Sequence, residues 1–321
     1  MNQDLPKIDF AVGGQAVIEG VMMRSRNCIT VSVRKKNGMI KVKKDHYAAF
    51  SQRIKLLALP IIRGVVNLCE MVIIGVGILN YSAREQLDEP EDDVANSNSL
   101  WSKMVMGASL AISLIFALTL SLFLFKFLPL WITETLSRNY EIFRSNYLIY
   151  NLTDGLLKTS FFIIYIAIMG LMPSLKRVFE YHGAEHKAIY TYEKGLRLTV
   201  ENARLQSRFH PRCGTSFILV VFLISVIVYT FVPKQPDFMV NFGLRILLLP
   251  LIAGISYEFL KWSARQQDNL IVRVLTAPGL WFQRLTTREP DDSQLEVALE
   301  ALGKALEMEA IRGKKLAAVT I

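Results

Sequence analysis

The chain has 321 residues, 52% hydrophobic and 20% charged, with a formal net charge of +9. Its mean hydropathy is positive, where a soluble chain averages roughly 45–50% apolar residues. Three scattered cysteines, Cys28, Cys69 and Cys213, exclude a disulfide framework, and a charged first decapeptide with Asp4, Lys7 and Asp9 does not read as a secretory signal.

Residues 1–53 read as a β-rich element. The stretch Asn27–Val33 alternates around Ile29, Val31 and Val33, and Asn37-Gly38 is a hairpin turn signal before Met39–Val42. A β-hairpin is expected there. Upstream, Gly13–Arg24 is apolar and carries one carboxylate, Glu19, between flanking glycines.

Four apolar runs follow further on: Met104–Pro129, Leu156–Pro173, Thr215–Pro233 and Phe242–Trp262. Each approaches or exceeds the length that a helix needs to cross a bilayer core, roughly 20 residues. A fifth stretch, 54–81, is broken by Pro60, Gly64, Gly75 and Gly77 and holds Arg63 and Glu70, which share a helix face and are expected to pair. Charge bias decides its role. If it crossed, the basic N-terminal region and the basic loop 174–214 would fall on opposite sides. It is therefore expected to be re-entrant or interfacial.

The chain then reads as mainly α: a polytopic membrane protein with about four spans, a re-entrant or interfacial helix and a small N-terminal β-hairpin element. Residues 82–102 form an acidic linker. Residues 103–262 form the four-span domain with a cytoplasmic, histidine-bearing loop 174–214. Residues 263–321 hold an interfacial segment, expected to break at Pro278-Gly279, and a C-terminal amphipathic surface helix with Leu295, Leu299, Leu302, Leu306 and Ile311 on one side. Both termini are expected in the cytoplasm. The net charge is read as basic cytoplasmic loops, so the partners expected are the lipid bilayer and other membrane proteins, with no nucleic acid.

Three of four histidines lie between positions 182 and 210. His182 and His186 are one helix turn apart, so both imidazoles can address one ion, and Glu185 lies beside that face. This is the H-x-x-E-H order, in which two His bind zinc and Glu activates water. Zn²⁺ or another divalent metal is the expected cofactor, with Glu185 as general base. A third ligand is expected from His210, Cys213 or Glu258. Glu19 and Arg212 are expected in support.

Three segments together, Gly13–Arg24, His182–Lys187 and His210–Phe217, resemble the family of domain of unknown function 1385, the YqhQ-like bacterial membrane proteins; Thr276–Leu280 resembles it too. The resemblance covers nearly the whole chain. It implies a bacterial plasma membrane setting and a metal-dependent enzyme. The expected function is a membrane-embedded metal-dependent hydrolase acting on a membrane-protein peptide bond or a lipid head group. The alternative is a non-enzymatic scaffold or membrane-protein biogenesis factor with a structural metal or none. A transporter is a weaker reading, since no internal repeat is visible.

Overall fold

A computed structural model describes residues 12–50, 54–87, 100–263, 266 and 269–319. Most of the acidic linker and the ends of the β-rich element lie outside the described residues. The fold is mostly helical, with one small antiparallel sheet.

The sheet is a four-stranded meander rather than a lone hairpin: β1 (Gly13–Val17), β2 (Gly20–Arg24), β3 (Cys28–Arg34) and β4 (Ile40–His46). Gly38, at φ 84°, makes the β3–β4 turn, as Asn37-Gly38 predicts. Both sheet faces are covered. Val17, Met22, Ile29, Val31 and Val33 form one buried layer with Met71, Ile74, Ile78 and Tyr81 of α1 (Ile62–Leu87). The opposite face meets α12 (Asp292–Val319), where Thr30 Oγ1 donates to the Ala301 carbonyl at 2.7 Å. Thr30 and Ser32 therefore alternate as polar residues without facing solvent; both are fully buried.

The stretch expected to break at Pro60 and its glycines instead holds α1 as one unbroken helix of 26 residues, with Pro60 just before it. The glycines are used for close approach: a Cβ on Gly64 would sit 2.8 Å from Tyr257, and one on Gly75 2.7 Å from Gln15. By length and composition α1 could cross a membrane. Yet its polar contacts tie it to the sheet: Glu70 accepts from Tyr47 Oη at 2.7 Å, Glu85 from Lys41 at 2.7 Å, and Gln86 reaches the Arg34 carbonyl. Its other face leaves Leu68, Val72, Ile73 and Leu79 exposed. The expected Arg63–Glu70 pair does not form, because Arg63 turns to Glu258 instead.

The other apolar helices form the rest of the bilayer-length set. α2 (Leu100–Leu122) passes through a π-helical turn, Phe123–Phe127, into α3 (Leu128–Asn139). After the short α4 (Glu141–Ser145) comes α5 (Tyr147–Met169). α9 (Phe238–Leu247) runs on into α10 (Leu249–Ser263). The segments Gly107–Asn139, Tyr147–Met169 and Phe238–Ser263 are each long and apolar enough to cross a membrane. α8 (Gly214–Thr230) has 17 residues, at the lower limit for a span.

Charge inside this set is concentrated on one carboxylate. Asp154 of α5 contacts Lys158 one turn later and Arg245 of α9. Arg245 also donates to Asn151 at 2.7 Å and lies over the Tyr229 ring at 4.5 Å. Residues 131–150 are largely helical, and the start of α5 at Tyr147, ahead of the apolar run Leu156–Pro173, brings Asp154 into the helix.

Of the remaining elements, α6 (Pro173–Glu193), α7 (Val200–Arg204) and α12 pack together with the sheet, while α11 (Leu270–Thr286) packs against α8. α11 stays helical through Pro278, where a break was expected, because Gly279 sits against Ser216 of α8 and ties the helix there. α12 is not a surface helix: Leu295, Leu302 and Leu306 are buried against α6 and the sheet, while Ile311 is exposed. Glu309 accepts from Ser25 Oγ and the Asn27 amide, both at 2.7 Å, which clamps the β2–β3 loop.

Candidate metal centre

α6 carries Tyr181-His182-Gly183-Ala184-Glu185-His186. Its small residues set how closely it can be approached. Ala184 and Ala188 are fully buried in the core shared with α12. At Gly183 a Cβ would fall 2.1 Å from the Arg288 carbonyl oxygen. Gly183→Ala must push the 286–288 segment away, at a cost of about 1–3 kcal/mol. That segment orients His182, so metal affinity is expected to fall about 10–100-fold. Metal titration of the variant checks this, and unchanged affinity would contradict it.

Both histidines are oriented by main-chain carbonyls. His182 Nδ1 is 2.8 Å from the Thr286 oxygen, and His186 Nδ1 is 2.5 Å from the Arg208 oxygen. A carbonyl only accepts, so each Nδ1 carries the proton and each Nε2 offers its lone pair. Cys213 caps the N-terminus of α8, where the Thr215 amide points at its sulfur. His182 Nε2 and Cys213 Sγ are 3.2 Å apart, and ligand atoms of His182, His186 and Cys213 all lie within 4.8 Å of one another.

These donors could hold a metal ion. Zn–N near 2.0–2.1 Å and Zn–S near 2.3 Å place tetrahedral donor atoms about 3.3–3.6 Å apart. Among the described residues, His186 Nε2 is buried and has no hydrogen-bond partner, a costly condition unless something takes its lone pair. Burial pushes the His186 imidazole down, against an upward pull from Cys213, and a neutral imidazole is the ligating form.

Glu185 is also buried, and burial pushes its carboxyl up. The Gly14 amide donates to it. The glycine is required by space: a Cβ there would meet the Met22 carbonyl at 2.6 Å and the Glu185 side chain at 2.9 Å. His182, Glu185, His186 and Cys213 line one cavity of about 850 Å³.

The other expected site residues fall elsewhere or play different parts. Glu258 is held by Arg63 through two contacts and is not in the donor cluster. His210 lines the cavity but is turned away from the cluster: its Nδ1 accepts from the Arg212 amide and its Nε2 lies 3.2 Å from Glu193. Burial lowers the His210 imidazole to about 4. Arg212 also lines the cavity and pairs with Glu193. Glu19, at φ 50° in the β1–β2 turn, grips Arg177 and accepts from Tyr181 Oη at 3.2 Å. It ties the sheet to α6.

Several contributors were not anticipated. Gln283 is fully buried; it accepts from the His210 amide and donates to the His210 carbonyl, both at 2.8 Å. A buried glutamine beside Trp281-Phe282 was the available signal. The Thr286 and Arg208 carbonyls left none, because any residue carries that group.

The family model described as protein of unknown function (DUF1385) matches residues 59–308. A protein of Bacillus subtilis (strain 168) described as uncharacterized protein YqhQ is 36% identical over 310 residues, covering 95% of each chain. No solved structure matches. With a match over most of its length and a relative aligned almost end to end, the chain belongs to the DUF1385 family.

Proposed function

We propose that this protein is a membrane-embedded, metal-dependent hydrolase. The observation that carries the reading is the donor set: three ligand atoms within 4.8 Å of one another, with a buried carboxylate on the same helix face and a cavity beside them. Three protein ligands with an open position are the habit of catalytic rather than structural zinc. His182, His186 and Cys213 would hold the divalent cation, which supplies Lewis acidity at the scissile bond. Glu185 takes a proton from the attacking water. The bond to the leaving atom then breaks, and Glu185 returns the proton to it. The carbonyls of Thr286 and Arg208 keep both imidazoles in register throughout.

The bacterial plasma membrane is the proposed setting, with both termini in the cytoplasm. Contacts among the sheet, α6 and α12 support one shared side for the N-terminal element, the His helix and the C-terminal helix. With α1 along the interface, four apolar segments remain, an even number that returns the chain to that side. The non-enzymatic scaffold reading, in its form with a structural metal, calls for a closed fourth ligand, and His210 is engaged by Glu193 instead.

The test is turnover in reconstituted vesicles, with products separated by mass spectrometry. Wild-type protein is expected to release products that Cys213→Ala does not. Identical products from both proteins would sink the reading.

A further inference from the structure

Outside the donor cluster the cavity has two unlike sets of lining residues. One is apolar and comes from helices of the bilayer set and from α11: Phe162 and Ile166 of α5, Ile218 of α8 and Phe282. The other is cationic, with Arg24, Arg26 and Arg212. Arg212 is neutralised by Glu193. Arg24 lies over the Tyr47 ring at 4.3 Å and donates to its hydroxyl at 2.8 Å. Among the described residues no carboxylate forms an ion pair with Arg24 or Arg26.

Two guanidinium groups with no ion-pair partner among the described residues, in one cavity with these apolar side chains, are complementary to one class of molecule. Phosphate oxygens accept the planar fork of arginine, and hydrocarbon covers the apolar side. A peptide bond carries no charge for these two arginines to meet. At about 850 Å³ the cavity is near the top of the range for small-molecule sites, roughly 300–1,000 Å³. The surroundings also supply this ligand: Leu270, Ile271, Val274 and Trp281 of α11, and Val72 and Ile73 of α1, present exposed apolar surface.

We propose that the cavity binds an anionic phospholipid, its phosphate on Arg24 and Arg26 and its chains along Phe162, Ile166, Ile218 and Phe282. As a substrate assignment this rests on the hydrolase reading; as a binding site it does not, so binding is measured without turnover. Protein in nanodiscs of equal parts phosphatidylcholine and phosphatidylglycerol is extracted into detergent, and the retained lipid is identified by native mass spectrometry.

Retained phosphatidylglycerol is expected in wild type. Arg24→Gln/Arg26→Gln should lower it at least about tenfold, the loss of one charge-assisted contact or more. Arg26→Gln alone changes an exposed side chain and serves where the double variant fails to fold; it should lower retention severalfold. Ile218→Trp fills the apolar side with no change of charge and should lower it as well, which separates the cavity from general attraction to a basic protein. Equal retention of both lipids by wild type, or retention unaltered in Arg26→Gln and Ile218→Trp, overturns the proposal. If lipid is retained but His182→Ala/His186→Ala binds as much metal as wild type, the hydrolase reading fails and the lipid site stands.

Discussion

Glu185→Gln is expected to lower turnover by about 10²–10⁴-fold, the usual contribution of a positioned acid–base group, while metal content stays at the wild-type level. The amide keeps the size of the carboxylate and can still accept from the Gly14 N–H, so the packing of Gly14 against Met22 and Glu185 survives. What it loses is the ability to take and return a proton. Burial already pushes the Glu185 carboxyl up, toward the pH at which a general base works best. The check is the rate of product release from phosphatidylglycerol vesicles, beside elemental analysis of the same sample. Full turnover in Glu185→Gln would remove Glu185 from the chemistry.

Asp154→Ala should cost about 3–5 kcal/mol, because it leaves the buried cations Lys158 and Arg245 without their shared carboxylate. Asp154 and Lys158 are each 1% exposed, and Arg245 is 5% exposed. Neither cation can reach water without disturbing the packing of α5, α8 and α9. A fall in melting temperature on the order of 10 °C in detergent is expected. Adding Lys158→Met to Asp154→Ala should recover part of the loss, since one orphaned charge disappears with it. A single variant that melts within about 1 °C of wild type would show that these helices do not depend on the network.

Much of the fold was legible because its signals are local. Asn37-Gly38 marks a real hairpin turn, and the apolar runs mark real helices. The spacing of His182, Glu185 and His186 places all three on one face of α6. What was not legible depends on partners distant in the chain. Pro60 and three glycines in 54–81 suggest a broken helix. In the fold Gly64 and Gly75 are contact points for Tyr257 and Gln15. The leucine stripe of α12 fits an exposed amphipathic helix equally well until β3 and α6 cover it.

The proposed third ligand shows the same limit more sharply. His210, Cys213 and Glu258 all have suitable chemistry. The fold separates them by giving Glu258 an arginine and His210 a glutamate, and by placing Cys213 at the head of α8 facing His182. None of these pairings is visible in residue spacing. The arginines at the cavity are equally hidden, because a basic N-terminal region reads as ordinary charge bias until Arg24 and Arg26 are seen lining the same cavity as the donor cluster.

The most direct test of the account is metal content by elemental mass spectrometry on protein purified without chelator, beside His182→Ala/His186→Ala. About one zinc or similar ion per chain, absent from the double variant, is the predicted result. Metal-free wild-type protein that takes up none on titration would contradict the account at its centre.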